Sequence, residues 1–201
     1  MPKPTSNLGQ FLSQNFIGML YFAGGMFLFA AVDTIAKVLT ENFHPVQVAW
    51  SRQLGLLFGI SIMLTLKGMV ILKTDHFWLQ VFRGCLAAAS ALMFIFAISV
   101  VPIADAVAVS FVAPFFVTIL GALVLGEYVG IRRWMAIAIG FVACLIIIRP
   151  GFSSFQPAVF LVVIAALAYA FRQIVSRMLS SSDLTITTVA YTGLTASFLL
   201  S

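Results

Sequence analysis

The sequence predicts an all-α membrane protein, a polytopic bundle with about seven spanning helices. Three observations carry that prediction. Of 201 residues, 62% are hydrophobic and only 8% are charged, where a soluble domain carries about 25%. The mean hydropathy is +1.13, and so few charges cannot cover that much apolar surface in water. The apolar residues also fall in long runs, separated by short clusters of charge, Pro, Gly or Ser, and each run approaches the roughly 20 residues that cross a bilayer as a helix. This composition excludes a soluble enzyme. With two cysteines, it also excludes a disulfide-stapled secreted domain.

The first run, about residues 16–36, follows a short segment, 1–15, with one Lys. Its length and the six runs after it make it a retained span and not a cleaved signal. The second, about 46–66, starts behind His44-Pro45 and contains Gly55-x-x-x-Gly59, a spacing that lets helix backbones approach closely. The third, about 79–99, carries Ala87-Ala88-Ala89-Ser90-Ala91, which has the same effect. The fourth, about 104–125, begins after Pro102 and is interrupted by Pro114, which has no N–H to offer the carbonyl one turn earlier, near Ser110. The fifth, sixth and seventh fall at about 133–149, 158–176 and 185–201. None alternates polar and apolar residues, and each is twice the length of a barrel strand, so helices are expected.

Basic residues orient the bundle, because short cytoplasmic loops collect Lys and Arg. With a cytoplasmic N-terminus, Lys3, Lys67, Lys73, Arg83, Arg132, Arg133, Arg172 and Arg177 fall on the inner side and only Lys37 and Arg149 on the outer. Arg52 lies inside the second span. Trp50, Trp78 and Trp134 fall near span ends, as interfacial indoles do. The net charge of +5 is then a topology signal and not a nucleic-acid footprint. A multi-pass protein of the inner cell membrane is expected.

A weak internal repeat appears when the chain is shifted by 140 residues. FAAVDTIAKVLTENF (29–43) then overlies YAFRQIVSRMLSSSD (169–183), pairing Ala30 with Ala170, Ile35 with Val175, Lys37 with Arg177 and Leu39 with Leu179. Chance is a competing explanation. Five spans separate the copies, and an odd number inverts the second relative to the first, a transporter architecture. The seventh run stops at Ser201 after roughly 16 residues, short of a full crossing, without a polar tail. The expectation is one five-span unit over 16–151 and the beginning of a second, inverted unit over 157–201, with the chain cut short of the functional protein.

From Arg83 to Gly151 the sequence resembles the EamA-type transporters of the drug/metabolite transporter superfamily. The likeness rests on the small-residue third span, the Pro102-x-Ala-Asp-Ala opening of the fourth, Ala113-Pro114, the Leu-Gly-Glu ending at Glu127, and the Gly-rich fifth span closing on Arg149-Pro150-Gly151. Arg52 after His44-Pro45 adds to it. The resemblance implies a ten-helix carrier of two inverted units that moves a small organic solute by alternating access. Within the superfamily the solutes include amino acids, riboflavin, S-adenosylmethionine, sugars and drugs, and these motifs do not choose among them.

Few side chains could carry chemistry. A charge inside the bilayer costs about 2.5–3.5 kcal/mol on insertion scales, so Arg52 and Asp33 call for partners, and their depths allow them to meet. Three readings stand: an ion pair tying helices one and two, a handle for an anionic group of the solute with Asp33 as competing counter-ion, or snorkelling of Arg52 to the outer interface. Pro114 and Ser110 mark a break that either lines a cavity or is a packing kink. Asp105 complements the N-terminal dipole of the fourth helix, and a role in coupling or gating is the alternative. Glu127 precedes Arg132 and Arg133 closely enough for a loop salt bridge, and Gly55 and Gly59 are read as structural. Phe94, Phe96, Phe111, Phe115 and Phe116 could stack on an aromatic ligand but equally suit lipid. His44 and His76, like Cys85 and Cys144, lie too far apart in depth for a metal site or disulfide. No cofactor and no enzymatic constellation are expected.

The leading function is therefore a secondary transporter of a small organic metabolite. Against it stand a non-transporting membrane subunit or scaffold, a truncated inactive carrier fragment and, least supported, a membrane-embedded enzyme. The partners expected are the solute and the lipid bilayer, with a homodimer allowed and no nucleic acid. Direction of transport and coupling to H⁺ or Na⁺ stay open.

Overall fold

The computed structural model describes residues 6–148 and 157–200; Lys3, the Arg149-Pro150-Gly151 stretch and Ser201 lie outside the described residues, as does the side chain of Cys144. Among the described residues all regular structure is helical: α1 Ser6–Leu39, α2 Pro45–Lys67, α3 Phe77–Val100, α4 Ile103–Ser110, α5 Ala113–Val124, α6 Ile131–Ile148, α7 Val159–Leu179 and α8 Thr185–Leu200. A 3-10 turn, Gly68–Leu72, extends α2. By length and composition, five stretches can cross a membrane: Phe16–Leu39, Pro45–Leu72, Phe77–Val100, Ile103–Val124 and Val159–Leu179.

The elements begin and end for local reasons. Helix α1 spans Ser6–Leu39, so residues 6–15 of the expected 1–15 segment are already helical before the apolar run begins. Pro45 opens α2 at a position that needs no N–H, and His44 caps it, its Nδ1 accepting from the Val46 N–H at 3.3 Å. Gly68 stops α2 at φ +71°, a conformation glycine adopts without strain. The fourth span is two helices. Phe111 and Val112 separate α4 from α5, and Pro114 in the first turn of α5 cannot donate to the Ser110 carbonyl.

Helix α3 is the hub: α7 and α8 pack along it, α7 also packs on α4 and α5, and α8 on α2. Gly84 makes the α3–α8 approach feasible, since a Cβ there would lie 2.6 Å from Thr195 Cβ. Gly193 on α8 likewise leaves room for Ile60 and Leu56 of α2. The core sits at the end of the bundle near Phe43, where Ala36, Val48, Ala49, Ile95, Ala97, Ile98, Ala106 and Val162 cluster. Helix α7 starts at that end, where α1 finishes, so the two run in opposite directions. The outside is greasy: Phe22, Phe27, Phe58, Leu123 and Phe198 are all more than half exposed. An exterior of this kind is stable against lipid tails and not against water.

Candidate functional site

At the Phe43 end, Arg52 on α2 reaches Asp33 on α1. Nη1 donates to Oδ1 at 2.9 Å, and the guanidinium carbon lies 5.1 Å from the Phe29 ring centroid. Asp33 is six residues before the end of α1 and Arg52 seven after the start of α2, which sets both about 9–10 Å inside their helices. A pair at that depth offers one cationic and one anionic group beside an aromatic face. Lys37, one turn beyond Asp33, donates to the Ile98 carbonyl at 2.5 Å and lies 3.5 Å from that of Val101. It satisfies the last carbonyls of α3 and faces the negative end of that helix.

The other sequence-selected residues sit elsewhere. Ser110 spends its hydroxyl on the Val107 carbonyl within its own helix, at 2.7 Å. Beyond the break that Pro114 makes, Phe115 rests edge-on against Phe141 and near Trp134, with ring centroids 5.6 and 6.4 Å apart. Among the described residues, no hydrogen bond or ion pair links Ser110 to the Asp33–Arg52 pair. Asp105 occupies the first turn of α4, where its charge faces the positive helix end. Gly55 and Gly59 have nothing within 4 Å of a built Cβ. They line an open apolar groove of about 420 Å³ with Met63, Ile71, Val189 and Ala190. The close helix approaches fall at Gly84 and Gly193 instead.

Glu127 is a clamp. Gly126, at φ +66°, turns the chain after α5, so that the Glu127 N–H reaches the Gly121 carbonyl at 3.3 Å. The carboxylate folds back over Gly121 and takes Arg177 Nη1 at 3.1 Å on both oxygens. Arg133 stands at 4.0 Å. The expected loop bridge is there through Arg133, and a shorter one joins Glu127 to Arg177 on α7, fifty residues away.

A second polar cluster, at the Lys73 end, was not foreseen. Gln80, fully buried, and Thr74 both donate to Asp183 at 2.6 Å. Arg83, 9% exposed, donates through Nε to Ser176 and through Nη1 to the Thr188 carbonyl and Thr192 hydroxyl. Arg172 lies under the Tyr169 ring, 4.8 Å from its centroid, and its Nε is buried without a hydrogen-bond partner. Arg83 and Arg172, counted above only as inner-side charges, both lie within helices, six residues after the start of α3 and seven before the end of α7. The available signal was Gln80 and Arg83 sharing one face of an otherwise apolar helix.

The fold and the intramembrane charges define a polytopic helical membrane protein. Residues 16–149 match the EamA-like transporter family, and the chain belongs to that family. It is 26% identical over 80% of its length to an S-adenosylmethionine uptake transporter of Rickettsia prowazekii, and 28% identical over 85% to a riboflavin transporter of Rhizobium johnstonii. It is 24% identical over 87% of its length to a pseudopaline exporter of Pseudomonas aeruginosa. The chain spans 54%, 57% and 61% of the lengths of these three curated relatives. No solved structure matches it.

Proposed function

We propose that this chain belongs to a secondary carrier that moves a small organic metabolite across the inner cell membrane by alternating access. In this reading residues 16–151 form one five-span unit. Residues from 157 onward open a second unit of inverted orientation, and the N-terminus and the Lys73 end face the cytoplasm. The observation that carries the proposal is the Arg52–Asp33 pair, a cation and an anion at matched depth beside Phe29. Ionisable groups within a membrane bundle mark solute or ion pathways. Arg52 is the handle for an anionic group of the solute, and Asp33 is the counter-ion that exchanges with it. The break at Ser110 and Pro114 lets α4 and α5 move separately, and Asp105 gates the same end.

The relatives' names support amino-acid-like and vitamin-like solutes: S-adenosylmethionine, riboflavin and pseudopaline. The test is growth rescue of auxotrophs for riboflavin, S-adenosylmethionine and amino acids by the full-length gene, followed by radiolabelled uptake. Rescue by one solute with saturable uptake is the expected result. Rescue of none, with export of none, would sink the carrier reading in favour of a non-transporting subunit.

A further inference from the structure

We propose that Arg83 and Arg172 form an oxyanion-binding site between α3 and α7, in the half of the bundle nearest Lys73, for a carboxylate or phosphate group. Arg83 is about 9 Å in from the start of α3 and Arg172 about 10 Å in from the end of α7, so the two cations share a depth. Arg83 reaches α7 through its Nε bond to Ser176 at 2.6 Å, one helical turn from Arg172. Among the described residues, neither makes an ion pair with a carboxylate. At that end Asp183 accepts from Thr74 and Gln80, and Glu127 is held by Arg177.

The two side chains are held differently. Arg83 is fixed by Ser176, Thr188 and Thr192, all neutral, which orient a guanidinium without cancelling its charge. Ser176 in turn donates to the backbone carbonyl of Arg172 at 2.8 Å, so Arg83 lies against the turn of α7 that carries Arg172. Arg172 leans on Tyr169, yet its Nε–H is shut off from solvent with no acceptor. A buried guanidinium N–H without an acceptor is unfavourable, and an oxyanion supplies one. Two guanidinium groups at one depth are suited to a planar carboxylate or to phosphate, which take paired N–H donors. The same oxyanion removes the repulsion between the cations.

The binding claim stands on this geometry; that the oxyanion belongs to a transported solute rests on the carrier reading. The experiment separates them because it needs no transport. The purified chain in phosphatidylcholine nanodiscs is titrated with inorganic phosphate at constant ionic strength, and its unfolding temperature is followed by Trp fluorescence. A saturable rise is expected, with Arg172→Gln shifting the half-point at least about tenfold and Arg172→Lys shifting it less. A rise produced only by phosphatidylglycerol in the discs, and lost in R172Q, gives the same site to a lipid headgroup. No saturable response of the wild type in either disc overturns the proposal, whether or not the variants fold. A response unchanged in R172Q also overturns it.

Discussion

Arg52 holds Asp33 across 2.9 Å between two helices, α1 and α2, that share little other contact. The pair and the Lys37 bonds to α3 tie down a helix that is exposed from Phe16 to Ala30. Removing one partner leaves the other charged and unpaired in the membrane, which costs about 3–5 kcal/mol for a fully buried pair and less here. Arg52→Gln is expected to destabilise the bundle more than the Asp33→Asn, Arg52→Gln double variant does. Unfolding in mixed detergent, run as a double-mutant cycle, measures it. Equal losses in both variants would show that the pair does not hold α1 to α2.

Lys37 explains why a cation stands at the end that carries few. Lys37→Met should cost about 0.5–1 kcal/mol, since it leaves the last α3 carbonyls without a donor. Hydrogen exchange at Ile98 to Val101 should rise while exchange in α7 stays unchanged.

Gly84→Ala tests the α3–α8 contact. The new Cβ would meet Thr195 Cβ at 2.6 Å, and Thr195 is branched at that atom and cannot swing away. The helices must separate, at about 1–3 kcal/mol. Gly55→Ala, whose Cβ meets nothing within 4 Å, should change stability little. Detergent unfolding midpoints of the two variants give the comparison.

Asp183 supplies a pH dependence. Partial burial pushes its carboxyl up, and hydrogen bonds from Thr74 and Gln80, the nearby His76 charge and Ser182 more than offset this, so it ends below its ordinary value of 3.8. A carboxyl lowered on folding stabilises above its unfolded pKa and loses that contribution as pH falls through the folded one. Wild type should therefore unfold at a higher temperature than Asp183→Asn at about pH 6, and the gap should close below pH 3.8. A gap that widens on acidification would contradict the assignment.

Much of the fold was legible because lipid imposes a simple rule: apolar runs of spanning length become helices. The break at Pro114 followed from a missing N–H, and depth allowed Asp33 and Arg52 to meet without excluding an Arg52 that snorkels to the interface. Arg83 and Arg172 entered the charge count only as markers of one side, and counting gives no sign of a polar cluster around them. What buries Arg83 is Ser176, Thr188 and Thr192, more than ninety residues away, and no local pattern announces them. Glu127 pairs close by with Arg133 as expected, and the Gly126 turn also aims it at Arg177, which no local pattern announces. Gly55 and Gly59 show the reverse difficulty, since small-residue spacing says where a helix can be approached and not whether a partner arrives.

The central claim is that Arg52 handles the solute, and labelled uptake by cells expressing the full-length gene tests it most directly. The solute is the one identified by growth rescue, and surface levels of each variant are measured alongside. Arg52→Ala should lower uptake at least about tenfold at normal membrane levels, and Arg52→Lys, which keeps the charge but not the fork of donors, should fall between. Undiminished uptake by both variants would remove Arg52 from the site and leave the Asp33 pair as a structural tie.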